Sequence, residues 1–592
     1  MRVRRDADPS SAHGPAVNAP AQSRSIHDVR LLHDQKVPMR DGIRLSADVY
    51  LPVAPGPFPT ILTRTPYESL RDSFVDRGIY WAKRGYAFVV QDVRGRYESE
   101  GIFGAYAVEG VDGCDTLDWV ATREWCNGKI GMWGRSYGAL TQWQLLRHGS
   151  PHLSCNCPHV MAADYYGDYH YVGGAFQLAL SVSAMVIWES GLAMIRPGSA
   201  DLFNNRRFFT HLPLVELDLE ALGREVSYWR EWLHHPRPDD YWKSVSTLAE
   251  DLQVAAPVFQ QGGWYDPYVD SIFHNFNAIA HSGQTEEART GQRVMIGPWS
   301  HDEPDDTRMG DLDLGPDAYV DLREEELRWY DTWLKGIDSG ITEEPPIRIF
   351  VMGASHWRYE HEWPLARTEY TPYYLQSGGH ANSLHGDGAL TTEPGDQAEA
   401  DRFEYDPERP VPTLGGVHSI QMMSAHAETP IMHGPVDQRP IERRDDVLVY
   451  TGPVLEQDLE VTGPVELILY AASSALDTDF TAKLVDVYPD GRAMCITEGI
   501  IRARSRDPDR EPALLEPGKV EEYRVRLYPT SNMFLRGHRL RLDVSSSNFP
   551  RFSRNLNTGE DVGTGTRMEV ARQTVRHDRR YPSRLVLPVI AT

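Results

Sequence analysis

At 592 residues, with 41% apolar and 24% charged side chains, the chain is too long for one hydrophobic core and has the composition of two or three packed globular units. Its formal net charge of -25, with Lys and Arg scattered along the chain, opposes a nucleic-acid partner, and no apolar run of about 18 residues offers a membrane span. The five cysteines, Cys114, Cys126, Cys155, Cys157 and Cys495, are too few and too unevenly spaced for a disulfide framework. They predict a reducing, cytoplasmic setting and small buried thiols; Cys155 and Cys157 lack the second Cys or His pair of a zinc site.

Residues 1–26 combine Arg2, Arg4 and Arg5 with Pro, Ser, Ala and Gln, without the apolar stretch of a secretion signal, and predict a disordered leader. From Val29 to Tyr50 apolar and polar residues roughly alternate around Asp41-Gly42, the turn chemistry of a hairpin. A strand at Thr60–Thr63, a helix from Ser69 to Lys83 closed by Gly85, and an apolar strand from Tyr86 to Val90 follow. A helix from Val111 to Arg123, a turn at Asn127-Gly128, a strand from Ile130 to Trp133 and a helix from Ala139 to Arg147 repeat the rhythm. Such alternation predicts a mostly parallel sheet covered on both faces.

After Pro151 the rhythm breaks. Helical stretches such as Leu178–Trp188, rich in aromatics, predict an inserted helical cap over 164–249. Strands resume at Pro257–Gln260 and Arg293–Ile296, and a long helix runs from Asp317 to Lys335, stopped by Gly336. Beyond Tyr370 the period changes to two: Tyr523, Val525 and Leu527 alternate with Arg524 and Arg526, and Leu540, Leu542 and Val544 with Arg541 and Asp543. The expected division is an α/β unit over 27–163 and 250–367, the cap between, and an all-β sandwich or jelly roll over 368–592.

Gly134-Arg135-Ser136-Tyr137-Gly138 follows a strand and opens a helix, the setting in which a sharp turn lifts a serine hydroxyl above the sheet. A serine needs a base, and the base an orienting acid, in the chain order Ser, Asp or Glu, His. Asp266 stands just after the strand Pro257–Gln260, and His301 just after Arg293–Ile296. Both positions lie at carboxyl ends of core strands, as Ser136 does, so the three can meet. Asp270 as acid, or His274 or His281 as base, competes only if the strand assignment fails, because each lies in a predicted helix. An oxyanion needs two donors: the Tyr137 backbone N–H is one, and the Tyr67 hydroxyl, in the loop after an early strand, is the candidate for the other.

Five segments together resemble the bacterial cocaine esterase branch of the X-prolyl dipeptidyl peptidase hydrolases, the CocE/NonD family. They are Arg64-Thr65-Pro66-Tyr67, Gln91-Asp92-Val93-Arg94-Gly95-Arg96, Gly131-Met132-Trp133-Gly134-Arg135-Ser136-Tyr137-Gly138, Gly263-Trp264-Tyr265-Asp266 and Gly297-Pro298-Trp299-Ser300-His301. The segments Asp477–Leu484 and Ser545–Pro550 resemble the jelly roll of that family. The resemblance implies an α/β-hydrolase core, a helical cap and a jelly roll that helps wall the acyl pocket. It places Ser136, Asp266 and His301 on the triad, Tyr67 and the Tyr137 amide on the oxyanion hole, and no cofactor.

The departures bear on substrate. The related α-amino acid ester hydrolases carry a Glu-Asp pair two and three residues after the acid, where this chain has Tyr268 and Val269. That specificity is disfavoured, and Tyr268 instead resembles the aromatic lining of the acyl pocket. The X-prolyl peptidases carry an N-terminal helical domain where this sequence shows only a short leader, which disfavours exopeptidase action. Ser419-Ile420-Gln421-Met422 does not closely match the pocket segment of the family. The acidic run Asp302, Glu303, Asp305, Asp306, Asp311 and Asp313 has no regular calcium spacing and reads as a solvated loop, with no metal. The expected activity is hydrolysis of a small-molecule carboxylic ester by a monomer or homodimer. An amidase, an X-prolyl peptidase and a non-catalytic binding protein are the alternatives.

Overall fold

A computed structural model describes residues 22–190, 206–248, 251–395, 399–418 and 432–591. A ten-stranded sheet forms the first body, in the order Val29–Pro38, Arg44–Pro52, Ala87–Asp92, Phe58–Thr65, Cys126–Arg135, Leu153–His159, Phe259–Gly263, Arg293–Gly297, Ile347–Val351, His356–Glu360. Neighbours from Ala87–Asp92 through Ile347–Val351 run parallel, and antiparallel pairs finish both edges. Strands of the block such as Phe58–Thr65 and Ala87–Asp92 are buried at every position, because helices cover both faces. The helix Tyr137–Leu146 is buried all round, which explains its lack of a polar face. Gly42, at φ +90°, supplies the left-handed turn of the opening hairpin.

The turn expected at Asn127-Gly128 lies within the strand Cys126–Arg135, and larger differences from the sequence expectation follow. The strand expected at Pro257–Gln260 is Phe259–Gly263. Its glycines, poor strand formers, are held there by packing: a Cβ on Gly263 would stand 2.1 Å from the Trp299 carbonyl oxygen. The expected helix Asp317–Lys335 is a helix over Leu322–Tyr330, capped by the Asp321 carboxylate, followed by a wider turn over Asp331–Lys335. Buried Asp331 accepts from the Tyr86 hydroxyl at 2.5 Å and from the Ser23 N–H at 2.6 Å. The end of the expected leader is thereby corrected. Ser23 is docked on Asp331, and the Ile26 N–H donates to the Lys83 carbonyl at 2.9 Å, although residues 1–21 lie outside the described residues.

Between Leu153–His159 and Phe259–Gly263 the described residues form helices at Leu178–Ser190, Arg206–Thr210, Leu217–Leu222, Ser227–His234 and Asp240–Val245, with a short ribbon at Tyr171–Val172 and Ala175–Phe176. Aromatic rings fill this layer: Trp232 lies 4.2 Å from His170 and 5.1 Å from Tyr228, ring centre to ring centre.

The second body is an eleven-stranded sheet in which Arg584–Ile590 pairs with both Thr368–Gln376 and Leu459–Ser473, closing most of the sheet into a barrel and leaving Asp401–Tyr405, paired only with Ala571–Arg576, at an edge. Tyr523, Val525 and Leu527 point inward while Arg524 and Arg526 are exposed, as period two requires. Arg541 and Asp543, expected outside, are buried; Arg541 is satisfied by Glu442 at 2.7 Å. The bodies meet where the Met352 N–H donates to the Ser531 carbonyl at 2.9 Å and the Met533 N–H donates to the Met352 carbonyl at 2.7 Å. The helical layer also rests on the barrel, with the Arg502 N–H donating to the Gly173 carbonyl at 2.8 Å.

Candidate active site

Each candidate side chain stands just past the carboxyl end of a parallel strand: Tyr67 after Phe58–Thr65, Ser136 after Cys126–Arg135, Asp266 after Phe259–Gly263 and His301 after Arg293–Gly297. Ser136 has φ +53° and ψ -120°, a conformation that L-residues rarely adopt and that marks a strained strand-to-helix turn. The turn is held by the Ser136 N–H on the His159 carbonyl at 3.0 Å and by two helical N–H groups on the Ser136 carbonyl. Gly134 is sterically required, since a Cβ there would lie 2.4 Å from the Gly138 backbone. Gly138 is not required in the same way; its nearest neighbour would be the Arg64 carbonyl oxygen at an ordinary 3.5 Å.

Asp266 and His301 meet. The ring Nδ1 is 2.7 Å from Asp266 Oδ2, while Oδ1 of the same carboxylate accepts the Tyr268 N–H at 2.9 Å. The carboxylate is 0% exposed and the imidazole 20%, so the acid is sealed while one side of the base faces the cavity. Backbone bonds lace the two loops together: Trp264 N–H to the Gly297 carbonyl and Tyr265 N–H to the Trp299 carbonyl, each at 2.9 Å. Asp270, His274 and His281 fall within or at the helix Val269–Ser282 and do not line the cavity.

Ser136, His301, Tyr67 and Tyr268 line one cavity of about 510 Å³. Its apolar wall comes from Tyr169, Leu180, Ala184, Ile187 and Trp188 of the helical layer. Tyr268 is buried, stacks on Tyr169 at 5.5 Å between ring centres, and meets the His301 ring edge-on at 5.6 Å. The Tyr137 side chain turns away, its hydroxyl donating to Glu109 at 2.9 Å, and its backbone N–H is the first of the helix Tyr137–Leu146, which has no acceptor within the helix. Ser419–Met422 lies outside the described residues.

Sequence reasoning missed the groups that fix the His301 loop. The Arg135 guanidinium donates to the His301 carbonyl. Glu303 pairs with Arg77, which lies 3.8 Å over the Trp133 ring and bonds buried Glu326 at 2.6 Å. Burial alone would raise the Glu303 carboxyl, but Arg77 and then Arg135 hold it down at about 2. Arg135, the variable residue of the serine pentapeptide, was in plain view; only the fold shows what it reaches. His433, from the second body, sits 3.1 Å from the Ser300 hydroxyl, and burial pushes its imidazole down to about 4. Nothing in the sequence near His433 signals that contact. The acidic run after His301 is largely committed to protein partners. Besides Glu303, Asp311 accepts the Asp437 N–H at 3.1 Å and Asp313 accepts the Thr307 hydroxyl at 2.8 Å. Among the described residues no group of three or more His, Cys, Asp or Glu side chains is placed to hold a metal.

Residues 41–303 match the X-Pro dipeptidyl-peptidase (S15 family) profile, and residues 339–586 match the X-Pro dipeptidyl-peptidase C-terminal non-catalytic domain. The chain is 38% identical to the cocaine esterase of Rhodococcus sp. over 94% of its own length and 97% of that protein. It superposes on an aminopeptidase from a Thaumarchaeota archaeon with a TM-score of 0.82 at 25% identity, over 99% of each chain. An α-amino acid ester hydrolase shares the fold, with a TM-score of 0.80 at 24% identity over 98% of this chain and 100% of that one. The chain therefore belongs to the X-Pro dipeptidyl-peptidase (S15) family of serine hydrolases, in its cocaine esterase-like branch.

Proposed function

We propose that this protein hydrolyses small-molecule carboxylic esters through an acyl-enzyme. Ser136 Oγ attacks the ester carbonyl carbon while the free Nε2 of His301 takes its proton, and Asp266 holds the imidazole through Nδ1 and steadies its positive charge. The Tyr67 hydroxyl and the Tyr137 N–H receive the developing oxyanion. His301 then returns the proton to the departing alkoxide, and a water activated by the same imidazole releases the acid and restores Ser136.

The observation that carries this reading is the 2.7 Å bond of His301 to a sealed Asp266 at the wall of the cavity that Ser136 also lines. Side chains and water carry every step of this reaction, which requires no cofactor. The apolar wall of Tyr169, Leu180, Ile187, Trp188 and Tyr268 suits an aromatic or medium-sized acyl group. The esterase assignment also draws on the likeness to the Rhodococcus cocaine esterase. Five free thiols support a cytoplasmic setting. Matched p-nitrophenyl esters and p-nitroanilides of one acyl group test the choice between ester and amide. The esters are expected to turn over faster, and a faster anilide overturns the assignment in favour of an amidase.

A further inference from the structure

The segment Gln91–Arg96 has no part in the mechanism above, yet Asp92 lies beneath the loop that carries Tyr67. That loop is strained: Glu68 has φ +74°, which a residue with a side chain holds only when its surroundings over-determine it. The Tyr67 N–H donates to Thr65 Oγ1 at 3.0 Å, and the Val93 N–H donates to the Thr65 carbonyl at 3.0 Å. On the far side of Glu68, the Ser69 N–H donates to Asp92 Oδ1 at 2.9 Å and the Ser69 hydroxyl donates to Asp48 Oδ2 at 2.6 Å. Asp48 is itself fixed through Oδ1, which accepts the Asp34 N–H at 2.9 Å and lies 2.6 Å from His33 Nδ1. Asp92 is fully buried at the end of the strand Ala87–Asp92, in register with Thr65, and its Oδ2 is enclosed without a hydrogen-bond partner.

We propose that Asp92, acting through Ser69, is a positioning residue that holds the Tyr67 loop in its strained form and so keeps the Tyr67 hydroxyl at the cavity; this rests on the oxyanion role given to Tyr67 above. The enclosed, unpartnered Oδ2 is the oxygen that carries the proton when the acid is neutral. Burial pushes the Asp92 carboxyl up to about 8, against the pull of its bond to Ser69. Of the titratable groups facing it, Asp48 and Glu98 add negative charge, while Tyr97, whose phenol is pushed up by burial, stays neutral. Asp92 is therefore neutral at pH 7. As the pH rises through about 8 it becomes a buried anion, which draws in water or expels its neighbours and loosens the loop.

The test reads kcat and KM for one p-nitrophenyl ester in Asp92→Ala, Tyr67→Phe and the double variant, together with the pH profile of Asp92→Asn. Asp92→Ala is expected to lower kcat about tenfold with KM changed less than about twofold, and to cost less than about twofold in the Tyr67→Phe background. An equal loss in both backgrounds overturns the inference, because Asp92 then acts independently of Tyr67. A Tyr67→Phe enzyme with wild-type kcat removes the oxyanion reading itself, and this inference falls with it. Asp92→Asn keeps an acceptor for the Ser69 N–H and cannot ionise, so it should restore most of the lost kcat and abolish the alkaline fall near pH 8. If Asp92→Ala does not fold, the asparagine profile decides: an alkaline fall like that of the wild type overturns the inference.

Discussion

Ser136 occupies a backbone conformation that its own side chain disfavours, and the cost is met by three backbone hydrogen bonds and by the absence of a Cβ at Gly134. Strain of this kind is tolerated where it aims an atom. At the same scale the Tyr67 hydroxyl is the donor whose loss is easiest to isolate, since phenylalanine keeps the ring that packs between the sheet and the helical layer. Tyr67→Phe is expected to lower kcat by roughly 10² to 10³ without changing the melting temperature. Steady-state kinetics beside a thermal melt would show it, and an unchanged rate would exclude the hydroxyl from oxyanion binding. The residues proposed to react could be picked out in the sequence because the proposed chemistry demands particular types after particular strands. The residues that position them were not: Arg135, Glu303 and His433 act through contacts across roughly 130 to 230 positions of chain, which no local pattern records.

Among the elements, the loop after Arg293–Gly297 matters most, because it carries His301, the proposed base, and is tied at both ends: to the Asp266 loop by backbone bonds, and to Arg77 and Arg135 through Glu303. The folded protein holds the Glu303 carboxyl at about 2, below its ordinary 4.5, so its contribution to stability is complete above about pH 4.5 and is lost as the pH falls through about 2. Glu303→Gln should therefore melt below the wild type at pH 6, and the gap should narrow steadily between pH 4.5 and pH 2.5. Melts that differ by the same amount across that range would mean that the pairing with Arg77 adds nothing. Element boundaries followed the same division between local and distant causes. The opening hairpin was readable from Asp41-Gly42. The strand Phe259–Gly263 and the wide turn at Asp331–Lys335 were not, because packing against Trp299 and bonds from Ser23 and Tyr86 override local propensity.

For the whole molecule, the change from strand-helix alternation to period two marked the two bodies correctly, but closure of the second sheet and the seam between the bodies lie beyond sequence pattern. At that seam Gly353 has φ +77°, and a Cβ on it would stand 2.1 Å from the Met533 carbonyl oxygen. Gly353→Ala is expected to destabilise the protein by about 1–3 kcal/mol and to separate the melting of the two bodies in calorimetry. A single, unshifted transition would show that the coupling of the two bodies does not depend on the backbone contact at Gly353. The second body also reaches the candidate site, where His433 meets Ser300, the neighbour of the proposed base His301.

The most direct test of the central claim is labelling by a fluorophosphonate probe with peptide mapping of the adduct. One adduct is expected, on Ser136, with its rate of formation reduced at least about 10²-fold in His301→Gln. A folded protein that takes no label at Ser136, or takes it as fast without His301, would contradict the mechanism.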